Sequence, residues 1–123
     1  MDIKYRNFNE SDSKFIKSLM YELGYSVSEK ELISNIHEIL YRGGAIFIAE
    51  VDSRVVGCVC SVIDARVAEG IYGELVSLVV SEKFRGSGVG KGLVRIGEKW
   101  ITVLRAVFED CHESIFRTLP AGH

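Results

Sequence analysis

Long apolar runs are missing from this chain. None approaches the ~20 residues of a membrane span, and the opening MDIKYRNFNESD has no apolar core of the kind a signal peptide needs. No membrane partner is therefore expected. Cysteine is scarce and odd in number, at Cys58, Cys60 and Cys111. Such a set builds no disulfide framework, and a reduced, cytoplasmic protein is the simplest expectation. Cys58-x-Cys60 with a distant Cys111-His112 also lacks the paired spacing of a zinc site, so no metal is expected. There is no surplus of positive charge: 15 Lys and Arg face 17 Asp and Glu, for a net charge of −2. Bulk electrostatics thus argue against a nucleic-acid partner. No repeat, linker or low-complexity tract divides the sequence, so residues 1–123 read as a single domain.

What is present is ordinary globular material, 47% hydrophobic and 26% charged, in a chain long enough to bury a core. Ile3–Phe8 alternates as a first strand. Ser11 or Asp12 can cap a helix whose apolar face is Phe15, Ile16, Leu19, Met20 and Leu23, ending at Gly24. Ser28-x-x-Glu31 is a capping box for a second helix carrying Leu32, Ile33, Ile36 and Leu40, stopped by Gly43-Gly44. Ala45–Val51 and Arg54–Ile63 predict a hairpin across Asp52-Ser53, with Cys58 and Cys60 on one face as small buried hydrophobes. Asp64–Tyr72 reads as a loop before a strand at Gly73–Val80. A helix starts near Gly88, and Val89, Leu93, Ile96, Trp100, Leu104 and Val107 keep one stripe that can carry it past Trp100. The β-branched Ile101-Thr102-Val103 can instead open a strand, and Pro120 with Gly122 marks a frayed end.

The informative stretch lies between that strand and that helix. Leu75–Val80 is followed by a charged turn, Ser81–Phe84, and then by Arg85-Gly86-Ser87-Gly88-Val89-Gly90. Strand, glycine loop and helix together aim backbone N–H groups and a positive helix end at an anion, and glycine removes the Cβ atoms that would keep a phosphate away. Two familiar nucleotide patterns fail. Counting from Gly86 puts Lys91, and counting from Gly88 puts Leu93, where the dinucleotide fingerprint needs its third glycine. Arg85 occupies the first glycine of a P-loop, and Lys91 precedes Gly92 rather than Ser or Thr. Lys83, Arg85, Lys91 and Arg95 occur without an intervening acid, which suits a phosphorylated ligand or, more plainly, a solvated helix face. A tight turn without a ligand is the alternative for the glycines.

Arg85-x-x-Gly88-x-Gly90 directly after a strand resembles the acetyl-CoA pyrophosphate loop of the GNAT superfamily of N-acetyltransferases. The context agrees: Ile46–Glu50 and Val55–Val59, with its Gly57, resemble the second and third strands of that family. The resemblance runs from Met1 to about Trp100. Family members normally continue with a fifth strand, a helix bearing an aromatic-Tyr-x-x-x-Gly-Phe signature, and two more strands. Residues 101–123 form a divergent tail without that signature. The resemblance implies an α/β (α+β) fold with a mixed, mostly antiparallel sheet, strands four and five splaying around the cofactor. It further implies that acetyl-CoA is the cosubstrate and the acceptor a primary amine of a small molecule or a protein. By resemblance the cofactor site is Arg85, Gly86, Ser87, Gly88, Val89, Gly90 and Lys91, with the backbone of Leu78, Val79 and Val80 pairing with pantetheine.

Acetyl transfer to an amine needs a proton acceptor and support for an oxyanion. Glu74 is the candidate base, eleven residues before Arg85, the spacing of the catalytic glutamate in histone-type members of the family. Burial beside apolar neighbours would raise its pKa toward the working range. A solvent-facing carboxylate, or one that binds a cationic substrate, is the plainer reading. No position matches the family's tyrosine acid. Tyr72 reads as packing, His37 as a rim histidine, and Cys111-His112 as no nucleophile pair. Two rivals stay open: a CoA-binding or interaction module without turnover, and a shortened form of a longer enzyme. A sheet ending at its fourth strand would leave an apolar edge, so a homodimer through helix Val89–Phe108 or the tail is expected, against a monomer whose tail folds back.

Overall fold

The computed structural model describes the backbone of residues 1–117 and the side chains of residues 1–108. Among these residues four strands form one sheet in the order β1 (Lys4–Asn7), β2 (Ala45–Val51), β3 (Arg54–Arg66) and β4 (Gly70–Val80). Every pairing is antiparallel. Helices α1 (Ser13–Glu22) and α2 (Glu29–Tyr41) cover one face, and α3 (Val89–Arg117) covers the other. The alternation of β2 explains the two layers. Ile46 and Ile48 face α1 and α2 with Cys58, Cys60, Ile16 and Ile36, whereas Phe47, Ala49 and Val51 face α3 with Val59, Val89 and Leu93. Phe47 meets Trp100 edge-on, with ring centroids 6.5 Å apart at 68°, pinning the middle of α3 to the sheet.

The helix stops are those the glycines announce. Gly24 (φ +94°) and Gly43 (φ +85°) adopt the left-handed conformation. The following residues, Tyr25 and Gly44, donate back to the carbonyls of Met20 and Ile39, closing both helix ends in the same way. Ser28 caps α2 by accepting from the Glu31 N–H at 3.1 Å. The first cap differs from expectation. Asn9, not Ser11 or Asp12, caps a short 3₁₀ turn, Glu10–Asp12, that leads into α1. Asp12 has other partners: it accepts the Asn9 N–H and a two-pronged contact from the Arg6 guanidinium, both prongs 2.8 Å, while Arg6 Nε also reaches Glu50 at 2.9 Å. This network sews β1 and β2 to the entry of α1. The apolar faces are also narrower than periodicity suggests. Phe15, Leu23 and Leu40 are exposed, and Ile39 takes the place on the sheet intended for Leu40.

Two larger corrections concern the distal half. Asp64–Tyr72 is mostly strand, not loop: Asp64 pairs with Tyr72, Ala65 with Ile71 and Arg66 with Gly70, leaving a three-residue turn at 67–69. Most residues of this hairpin end are exposed, with Ile71 and Tyr72 half-buried, and they carry no apolar alternation to read. Ile101 opens no strand. Its side chain fills the space left by the missing Cβ of Gly73, and Thr102 donates to Glu98 within the helix. No fifth strand occurs among the described residues, so β4 has no outer neighbour there and the splayed pair is not seen. Pro120, Gly122 and His123 lie outside the described residues.

Candidate active site

The site forms where β4 turns into α3. After Val80 the chain makes a 3₁₀ turn, Glu82–Phe84, and enters the loop Arg85–Gly88. Gly86 (φ +81°) and Gly88 (φ +92°) are both left-handed, and a Cβ on either would point into open space. The need for glycine is therefore conformational, and the surface above the loop is clear. Arg85 Nε donates to the Val80 carbonyl at 3.2 Å, and the Ser87 hydroxyl donates to the Phe84 carbonyl, so the loop is tied to the strand end. The first helical bond of α3 runs from Gly92 N to Gly88 O at 3.1 Å, which leaves the N–H groups of Val89, Gly90 and Lys91 directed out of the first turn. The side chain of Val89 is buried against the sheet. It anchors the turn, so only its backbone can face a ligand. Lys83, Arg85 and Lys91 are exposed around this end.

On β4 the three positions Leu78, Val79 and Val80 differ. Val79 is buried among the α1 and α2 side chains, Leu78 is exposed, and Val80 packs toward α3. Just before them the ladder slips: Cys58 pairs with Val79 and Cys60 with Val76, which gives β4 one extra residue. Ser77 takes up that bulge at φ +54° and is exposed. Sequence reasoning missed this feature. The one available signal was a lone serine within the apolar run Leu75–Val80. Both thiols behind the bulge are buried and free, and burial pushes Cys60 up to about 11, so neither is a ready nucleophile.

Glu74 lies opposite Val62 on β4 and is exposed, the solvent-facing one of the two settings weighed for it. It opens onto a cleft of about 500 Å³ with Asn35, Glu38, Arg42 and Asp64. The Tyr72 ring lies 4.2 Å beneath the Arg66 guanidinium, a packing role. His37 is exposed on α2, pairs with Glu10 at 2.8 Å and is not among the residues that line this cleft. Cys111 and His112 fall outside the residues whose side chains are described.

Residues 12–114 match the acetyltransferase (GNAT) family. The chain belongs to the GNAT acetyltransferase family. The match passes Trp100 and takes in most of α3, so the family-like region is longer than its motifs alone suggest. Several solved GNAT structures share the fold. Glucosamine-6-phosphate N-acetyltransferase from Arabidopsis thaliana superposes with a TM-score of 0.73 at 24% identity, covering 85% of this chain and 77% of that one. A GNAT family acetyltransferase from Staphylococcus aureus gives 0.71 at 23%, covering 85% and 81%. A phosphinothricin acetyltransferase from Sinorhizobium meliloti, in complex with AcCoA, gives 0.72 at 20%, covering 85% and 62%. A search of curated proteins by sequence finds no match. GNAT proteins use acetyl-CoA, and the open glycine loop with its outward N–H groups and nearby cations fits the pyrophosphate of such a molecule. No helix among the described residues is long and apolar enough to cross a membrane.

Proposed function

We propose that this chain is an N-acetyltransferase that moves the acetyl group of acetyl-CoA to a primary amine. The observation that carries the reading is the loop Arg85–Gly90: two left-handed glycines under clear space, opening a helix directly after an edge strand. The N–H groups of Gly88, Val89, Gly90 and Lys91 bind the pyrophosphate, with Arg85, Gly86 and Ser87 completing the loop and Arg85 and Lys91 adding charge. The backbone of Leu78, Val79 and Val80 lies along the pantetheine. Acetyl-CoA supplies an activated thioester. The amine enters from the α1 and α2 side, through the cleft that Glu74 faces. Its nitrogen forms the C–N bond as the C–S bond breaks. Glu74, directly or through water, takes one ammonium proton, and the other goes to the leaving sulfur. The free thiols Cys58 and Cys60 suit a cytoplasmic protein.

One observation favours a second reading, a CoA-binding module without turnover: among the described residues no strand pairs with the outer edge of β4. Calorimetric titration with acetyl-CoA, followed by thiol release against a panel of amines, separates the two. Binding with turnover is expected, and binding without turnover of any amine supports the module. Gly88→Asp, placing bulk and negative charge at the loop, should abolish binding while circular dichroism stays native. Arg85→Ala and Lys91→Ala should weaken binding less, and more at low than at high salt. A folded Gly88→Asp protein that binds as wild type overturns the site assignment.

A further inference from the structure

The cleft has two parts that meet along α2. One, of about 570 Å³, is walled by Met20, Leu23, Tyr25, Val27, Ile36 and Leu78 and reaches Ser77 at the bulge. The other, of about 500 Å³, presents Glu38, Asp64 and Glu74. Asn35 and Ile39 line both, so the two form one trough, apolar at the bulge end and acidic at the other. Among the described residues lining it, Arg42 is the one cation, and its Nε lies 2.8 Å from Glu38. Arg66 stands 3.7 Å from Asp64 but stacks on Tyr72 and does not line the trough. Glu74 has no cationic partner within ion-pair distance among the described residues.

From this arrangement we infer the acceptor's class, resting on the N-acetyltransferase reading above: a primary amine with an apolar body and no anionic group. The body occupies the apolar part of the trough, where burial of a small hydrocarbon or aromatic group is favourable. The ammonium is drawn to Glu74 and Asp64, which places it beside the group that takes its proton. A phosphate or carboxylate on the acceptor would meet these two carboxylates and find Arg42 already engaged, so such amines are rejected by repulsion rather than by size.

Thiol release is measured with phenethylamine, hexylamine, ethanolamine and O-phosphoethanolamine, and acetyl-CoA affinity is measured alongside by calorimetry. The two apolar amines should exceed ethanolamine in kcat/KM by about tenfold or more, the usual reach of an apolar pocket, with O-phosphoethanolamine slowest. Leu23→Asp, at an exposed position, should raise KM for phenethylamine by about tenfold without loss of acetyl-CoA affinity. Asp64→Lys should improve O-phosphoethanolamine relative to phenethylamine. A flat ranking, or a preference for the phosphorylated amine, overturns the acceptor class while transfer itself stands. If acetyl-CoA binds and no amine reacts, or if acetyl-CoA does not bind, the acceptor class falls together with the transferase reading.

Discussion

At the scale of single residues, two carboxylates sit in opposite settings, one the proposed base and the other part of a structural network. Glu74, the proposed base, is exposed in a cleft. Glu74→Gln should leave acetyl-CoA affinity nearly unchanged and lower kcat by ~10²-fold or more, the usual contribution of a positioned base. Equal rates in the variant and the wild type would remove Glu74 from the mechanism. Asp12 is buried, and hydrogen bonds from Arg6 hold its carboxyl below the ordinary range. A carboxyl lowered in the folded state adds stability above its unfolded pKa of about 4, and that stability is lost as pH falls through the folded value. Asp12→Asn should therefore cost about 2–3 kcal/mol at pH 7. This is less than a fully buried pair would lose, because Arg6 keeps Glu50 and reaches solvent. Urea unfolding should show the gap between wild type and variant narrowing below about pH 4.

Among the elements, α3 and the sheet are fitted to each other by missing side chains. A Cβ on Gly97 would lie 2.6 Å from Leu75 Cδ2, one on Gly92 would overlap the Tyr5 hydroxyl, and Gly73 leaves room for Ile101. The Ser61 hydroxyl donates to the Gly97 carbonyl at 3.3 Å, so even the helix backbone is in contact with β3. Close approach outweighs the roughly 1 kcal/mol that each mid-helix glycine costs. Gly97→Val should destabilise the protein by about 1–3 kcal/mol through overpacking. Because α3 begins in the glycine loop, the same change should also weaken acetyl-CoA binding. An unchanged denaturation midpoint would show that the helix can lift off the sheet at little cost.

For the whole molecule, the surface that remains to be covered lies on α3 beyond Trp100. Val103, Val107 and Phe108 are exposed there, and the outer edge of β4 is unpaired among the described residues. Val103 and Val107 are one helical turn apart, as are Leu104 and Phe108, so the four make a single stripe. We propose that a second copy packs its own α3 on this stripe about a two-fold axis, the commonest closed arrangement. Light scattering at micromolar concentration should give the mass of two chains, falling to one in Val103→Asp/Val107→Asp. A wild-type mass of one chain would sink the dimer.

Local signals in the sequence were sufficient for most of the elements and for the glycine loop. Ser28, Gly24, Gly43 and Asp52-Ser53 act on neighbours within a few residues, so their roles are written into the chain beside them. The stripe from Val89 to Val107 likewise announced one continuous helix, since a repeat of 3.6 needs no partner to be read. Arg85–Gly90 was legible because the demand for glycine there is conformational and local. Other features were not legible because they depend on residues far apart in sequence. The strand ends around 67–69 are exposed and held by backbone pairing, which leaves no side-chain pattern. The bulge at Ser77 exists only as a mismatch between β3 and β4. Glu74 has its spacing in the sequence, but its exposure depends on how far α2 reaches over the sheet. The trough joins α1, α2, β3 and β4, and its apolar and acidic parts acquire meaning only when tertiary packing places them side by side.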